Sequence, residues 1–241
     1  MQARAIRSIF SLLLVVAFPV MPAQAQDAGA LPTDLRARAK QYAGLDYRAF
    51  HRVQQRLQTL LPPEPRLVDV WLQDARPERD AWQPEGWNVA VLGRTLEQAV
   101  TVRRGGYFLL PGLAPEEEEG ARIVFREPGR RRTLAIQWQL RVGADGRIGQ
   151  RTLVEALGQL RTVQESIPFY AAALWREKNA RYDGIKACFL APGGAILVDG
   201  QPAPGPTVGD CRIMKIAPGE GTVAFTGELD IVTFVQTANN P

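Results

Sequence analysis

The chain has 241 residues, of which 46% are hydrophobic and 22% charged, with 29 basic against 25 acidic side chains, one histidine and two cysteines. A formal charge of +4 over that length is too small a surplus to grip nucleic acid, which needs a clustered basic face. A single histidine also rules out a multi-histidine metal centre and leaves His51 as the only imidazole base for serine or cysteine catalysis.

The first residues read MQARAIRSIFSLLLVVAFPVMPAQAQD, in which Arg4 and Arg7 form a positive start, Ile9 to Val16 an apolar centre and Ala23-Gln24-Ala25 a small-x-small cleavage site. This predicts a secretory signal peptide over residues 1–25, cut after Ala25, and a periplasmic or secreted mature chain. The apolar part is shorter than the ~20 residues that cross a bilayer and contains Pro19, so no transmembrane anchor is expected after cleavage.

Residues 26–64 read as an N-terminal helical segment. Thr33 is placed to cap a first helix and Gly44 interrupts it. Asp46 then caps a second helix, in which Phe50, Val53, Leu57, Leu60 and Leu61 recur at helical spacing until Pro62-Pro63 stops it. His51 falls with Gln54, Gln55 and Gln58 on the polar side, where a solvated imidazole is expected.

From 65 to 145 the pattern becomes short apolar runs separated by turn residues: LVDVWLQ, WNVAVLG, AVTVRRGGYFLLPG, ARIVFREPG and TLAIQWQLRVG. In the last, Leu134, Ile136, Trp138, Leu140 and Val142 alternate with Ala135, Gln137, Gln139 and Arg141, which predicts a strand of an antiparallel sheet with one buried face. Residues 146–184 form a helical connector with Leu153, Ala156, Leu157 and Leu160 on one stripe, and Pro168 is placed to open a further helix. Residues 185–241 return to strands: KACFLA, AILVDG, CRIMKIA, TVAFTG and LDIVTFVQ.

Pro-Gly pairs that close an apolar run recur at 111, 128, 192 and 218, and their unequal spacing of 17, 64 and 26 residues argues for shared turn chemistry rather than an internal repeat. Type II turns are expected, with proline at the first central position and glycine at the second. Cys188 and Cys211 are the only cysteines, and in an exported chain they read as one structural disulfide worth about 3 kcal/mol on the chain-entropy model. The expected fold is therefore α+β and antiparallel β-rich: a helical segment, a first β region, central helices and a second, disulfide-bearing β region, arranged as a sandwich or as two small lobes.

No nucleophile, metal or cofactor constellation emerges, so no catalytic residue, metal or cofactor is assigned. Carboxylate pairs are the remaining enzymatic option, with Asp69, Asp74 and Glu85 as candidates, and the run PEEEEG at 115–120 reads as a solvated loop. Two binding features remain. Arg103, Arg104, Arg130, Arg131 and Arg132 could form a rim for an anion, and Trp82 and Trp87, on a loop rich in Pro and Gly, could stack on sugar rings. Trp71 and Trp138 lie in strand patterns and are expected in the core. The leading expectation is a non-enzymatic exported protein that binds an unknown envelope component or protein partner and no nucleic acid. A carbohydrate-active enzyme using carboxylates near Trp82 and Trp87, or an assembly partner, are the alternatives.

Overall fold

The computed structural model describes residues 31–37, 39, 42–74, 86–128, 134–168 and 174–239. The expected signal peptide, Trp82, Glu85 and Arg130 to Arg132 lie outside the described residues.

Strand β1 (Tyr42–Asp46) leads directly into helix α1 (Tyr47–Leu60). The first of the two helices expected in this segment is corrected: residues 33–37 form turns, and Tyr42–Asp46 pairs antiparallel with β7 (Arg122–Pro128). Gly44 lowers the helix propensity of this segment, and pairing with β7 draws it into the sheet. Asp46 does cap α1, its carboxylate accepting the Ala49 N–H at 2.8 Å. The buried face of α1 is Tyr47, His51, Gln54 and Leu57, so the helix is rotated relative to its apolar stripe, and Leu60 is left 38% exposed.

The described strands form three antiparallel sheets. Besides β1 and β7, the first contains β3 (Val89–Leu92) and β4 (Glu97–Val100), in the order β1-β7-β3-β4. The largest draws β2 (Val68–Asp74), β5 (Val102–Arg103), β6 (Tyr107–Phe108) and β8 (Leu134–Leu140) from the first β region. From the second it takes β10 (Gly184–Phe189), β13 (Thr207–Val208), β14 (Cys211–Lys215) and β16 (Leu229–Val235), in the order β13-β14-β10-β16-β8-β2-β6-β5. The third is made of β9 (Arg147–Gly149), β11 (Ala195–Val198), β12 (Gln201–Pro202) and β15 (Thr222–Thr226), in the order β12-β11-β15-β9. Strands of both β regions therefore meet within the largest sheet, and the connector adds β9 to the third.

The alternation read in β8 is observed. Ile136, Trp138 and Leu140 are buried opposite Leu72, Val70 and Val68 of β2, while Ala135, Gln137 and Gln139 turn to the other face. One large core joins this face to Val89, Val91, Ile123 and Phe125 of the first sheet, to Val223 and Phe225 of the third, and to helix α3 (Gln150–Ser166) through Leu153, Ala156, Leu157 and Leu160. A short helix α4 (Trp175–Asn179) packs on α3. The Lys178 ammonium donates to the Glu165 carbonyl at 3.4 Å and to that of Ile167, satisfying carbonyls at the C-terminal end of α3.

Cys188 and Cys211 face each other across β10 and β14 and are joined by a disulfide. The Pro-Gly reading holds in part. Gly193 has φ +91°, as the second central residue of a type II turn requires, whereas Gly112 and Gly219 do not occupy positive φ and Gly129 lies outside the described residues. The acidic run is also corrected: Pro115–Glu118 forms a turn of helix, α2, rather than a free loop. Glu117 accepts the N–H groups of Thr95 and Leu96 at 2.8 and 3.1 Å and the Thr95 hydroxyl, which ties α2 to the β3–β4 hairpin. No helix among the described residues is long and apolar enough to cross a membrane.

Candidate functional site

Where β4 leaves the first sheet and the chain turns at Thr101 into β5 of the largest sheet, a cleft of about 610 Å³ opens. It is lined by residues 98–101, by Leu109 to Pro111, by Leu190 with Glu228 to Asp230, and by Trp71 and Arg103. Side chains of a strand alternate in direction, so lining by three consecutive residues of β4, Gln98 to Val100, means that its backbone edge faces the opening.

Arg103 lies over the indole of Trp71, its guanidinium carbon 5.0 Å from the ring centroid. Its Nη1 donates to the carbonyl oxygen of Asp230. The neighbouring Arg104 is 4% exposed and is anchored by three acceptors: its N–H donates to Asp230 Oδ2 at 3.1 Å, Nη2 to the Leu190 carbonyl at 3.3 Å, and Nη1 to Asp210. Gly105, at φ +76°, reverses the chain immediately afterwards. The tandem arginines thus hold the β16 end and the 190 loop against β5, joining segments up to 127 residues apart. Burial pushes the Asp230 carboxyl above its usual range, opposed by the charges of Arg103 and Arg104. Glu228 is exposed at the opening, and its carboxylate has no hydrogen-bond or ion-pair partner among the described residues.

The remaining candidates are placed as follows. Trp87 is 6% exposed and packs with Leu35, Ala90, Leu92 and Val124, so its ring is part of a small core. Trp138 and Trp71 are both buried as expected, Trp71 packing with Tyr107, Cys188, Cys211 and Ile231 while its remaining exposed edge lines the cleft. Asp69 is held by Arg66 at 3.0 Å and by a two-pronged contact from Arg141. Asp74 is buried at the far end of the same strand. An odd separation along β2 directs Asp69 and Asp74 to opposite faces, so they cannot converge on one bond.

His51 is corrected from solvated to buried. It is 9% exposed, stacked on Tyr47 with ring centroids 4.9 Å apart, within hydrogen-bond distance of Gln55 and 3.7 Å from Glu118. Burial pushes its pKa down, against the pull of Glu118. The polar side of α1 is covered because residues 110–118 lie across it, Gln54 bonding both the N–H and the carbonyl of Leu110.

Sequence reasoning missed Glu228, Asp230 and the β4 edge. No local signal marks them, since they lie in or next to ordinary strand patterns and acquire their neighbours only through the tertiary fold. No protein-family model, curated protein or solved structure matches the chain.

Proposed function

We propose that this is an exported, non-enzymatic binding protein whose ligand occupies the cleft between β4, the 109–111 wall and the β16 end. The observation that carries this reading is the cleft itself: about 610 Å³, within the size range of ligand sites, held open by a buried arginine network and presenting an uncommitted carboxylate beside apolar walls. Export is supported by the signal-like first 25 residues and by a disulfide, which is favoured in oxidising compartments. The carbohydrate-enzyme alternative is less well supported. The two acids in the cleft, Glu228 and Asp230, lie two residues apart where the chain enters β16 and approach a ligand from one side, whereas glycoside hydrolysis uses acids flanking the bond.

The test is mild crosslinking in the native envelope followed by capture of the wild-type protein and of a cleft variant, Leu109→Glu with Glu228→Lys. A crosslinked component present with the wild type and lost with the cleft variant supports the reading. Identical capture by both sinks it. N-terminal sequencing of the exported chain is expected to begin at Gln26.

A further inference from the structure

Among the described residues the sheets expose six strand edges, and five of them are guarded. β5, β12 and β13 are two residues long and β9 three, while β1 is interrupted by a register shift between Tyr42 and Gly44. β4 alone of the six offers four residues of uninterrupted edge, Glu97-Gln98-Ala99-Val100, without proline or lysine to block pairing.

Its register fixes which groups point outwards. Val91 opposes Gln98 and Ala90 opposes Ala99, and the hairpin closes with a bond from Gly93 N–H to the Leu96 carbonyl. Antiparallel pairs alternate between bonded and unbonded, so Gln98 and Val100 spend their backbone groups on β3, while Glu97 and Ala99 direct theirs away from it. Arg36 covers the turn end, bonding Glu97 and the carbonyls of Gly93, Arg94 and Leu96. Ala99 lies beyond that cover and lines the cleft, with no hydrogen bond from its outward N–H or carbonyl among the described residues.

We propose, building on the cleft reading above, that the occupant is an extended polypeptide segment that adds as a strand to β4 and carries a lysine or arginine to face Glu228. Backbone pairing at Ala99 supplies the register, as in other edge-strand recognition. Leu109, 37% exposed, and Leu229 supply an apolar wall for the peptide's remaining side chains, and Glu228 supplies the charge complement. Sugar stacking is less favoured, because the Arg103 guanidinium already lies over the Trp71 indole.

The test is selection of random seven-residue peptides on the immobilised full chain, followed by synthesis of the enriched peptide with single N-methyl groups at successive positions. The expected result is enrichment of alternating apolar sequences bearing one basic residue. N-methylation at positions of one parity then weakens binding about tenfold, as loss of one or two backbone hydrogen bonds implies, and methylation at the other parity has little effect. Glu228→Lys is expected to reverse the preference to an acidic residue. Absence of enrichment, selection of proline-rich or acidic peptides by the wild type, or equal losses at both parities overturns the proposal. If peptides fail while envelope capture still depends on the cleft, the strand-pairing inference falls and the binding reading stands. If capture is independent of the cleft, both fall.

Discussion

Two glutamates that would titrate alike in free peptides are driven in opposite directions by their surroundings. The Glu117 carboxylate receives two backbone N–H groups and a hydroxyl, which hold its pKa down at about 2. Its contribution is complete above the unfolded value of 4.5 and is lost as pH falls from there towards 2. Glu177 is buried, and although Trp138 Nε1 at 3.0 Å and Tyr182 OH at 2.8 Å donate to it, desolvation dominates and raises its pKa above 4.5. Here the folded state holds the proton more tightly, so stability falls as pH rises through 4.5 and above. Glu117→Gln is expected to flatten the acid limb of a urea-denaturation profile. Glu177→Gln keeps an acceptor for both donors, and is expected to stabilise the protein at pH 7 and to remove the decline above 4.5.

Elements carry the next level of coupling. Gln54 of α1 holds Leu110 by both backbone groups, at 3.2 and 3.4 Å, and Leu110 belongs to a cleft wall. Gln54→Leu leaves a buried N–H and carbonyl without partners, and is expected to cost roughly 2 kcal/mol in chemical denaturation and to weaken peptide binding. The disulfide joins β10 to β14, next to Asp210, which anchors Arg104. A Cys188→Ala, Cys211→Ala variant is expected to lose about 2–5 kcal/mol, read as a lowered Tm that no longer responds to reductant. At this scale the sequence was highly legible: the apolar runs, the Asp46 cap, the α3 stripe and the cysteine pair all reappear in the fold. It was misleading where an element's surroundings come from elsewhere. His51 and Gln54 look solvent-facing on a helical wheel, and only the return of residues 110–118 buries them. Glu117 looks like one of four equivalent acids until the β3–β4 hairpin offers it two N–H groups. The arginines at 103 and 104 read as a rim because charge is visible in sequence, whereas Asp210, Asp230 and the Leu190 carbonyl, which receive them, are not visible as neighbours.

For the molecule as a whole, the sheets interlace. β9, which precedes α3, pairs with β15 far beyond it, while β16, near the end of the chain, pairs with β8 through Thr233 and Gln139. A chain truncated after residue 183 therefore lacks β16 and leaves one side of β8 bare. It is expected to be insoluble or to lack cooperative unfolding by circular dichroism, and to recover on co-expression with the missing piece. The same arrangement bears on the timing of folding. β8 ends at Leu140 and its partner begins at Leu229, so during synthesis the ladder through the middle of the largest sheet waits for most of the remaining polypeptide. Such distant pairing makes for slow acquisition of structure. A chain that stays loose until residues 229–235 have emerged is one that can be threaded end-first through a narrow channel before it closes up.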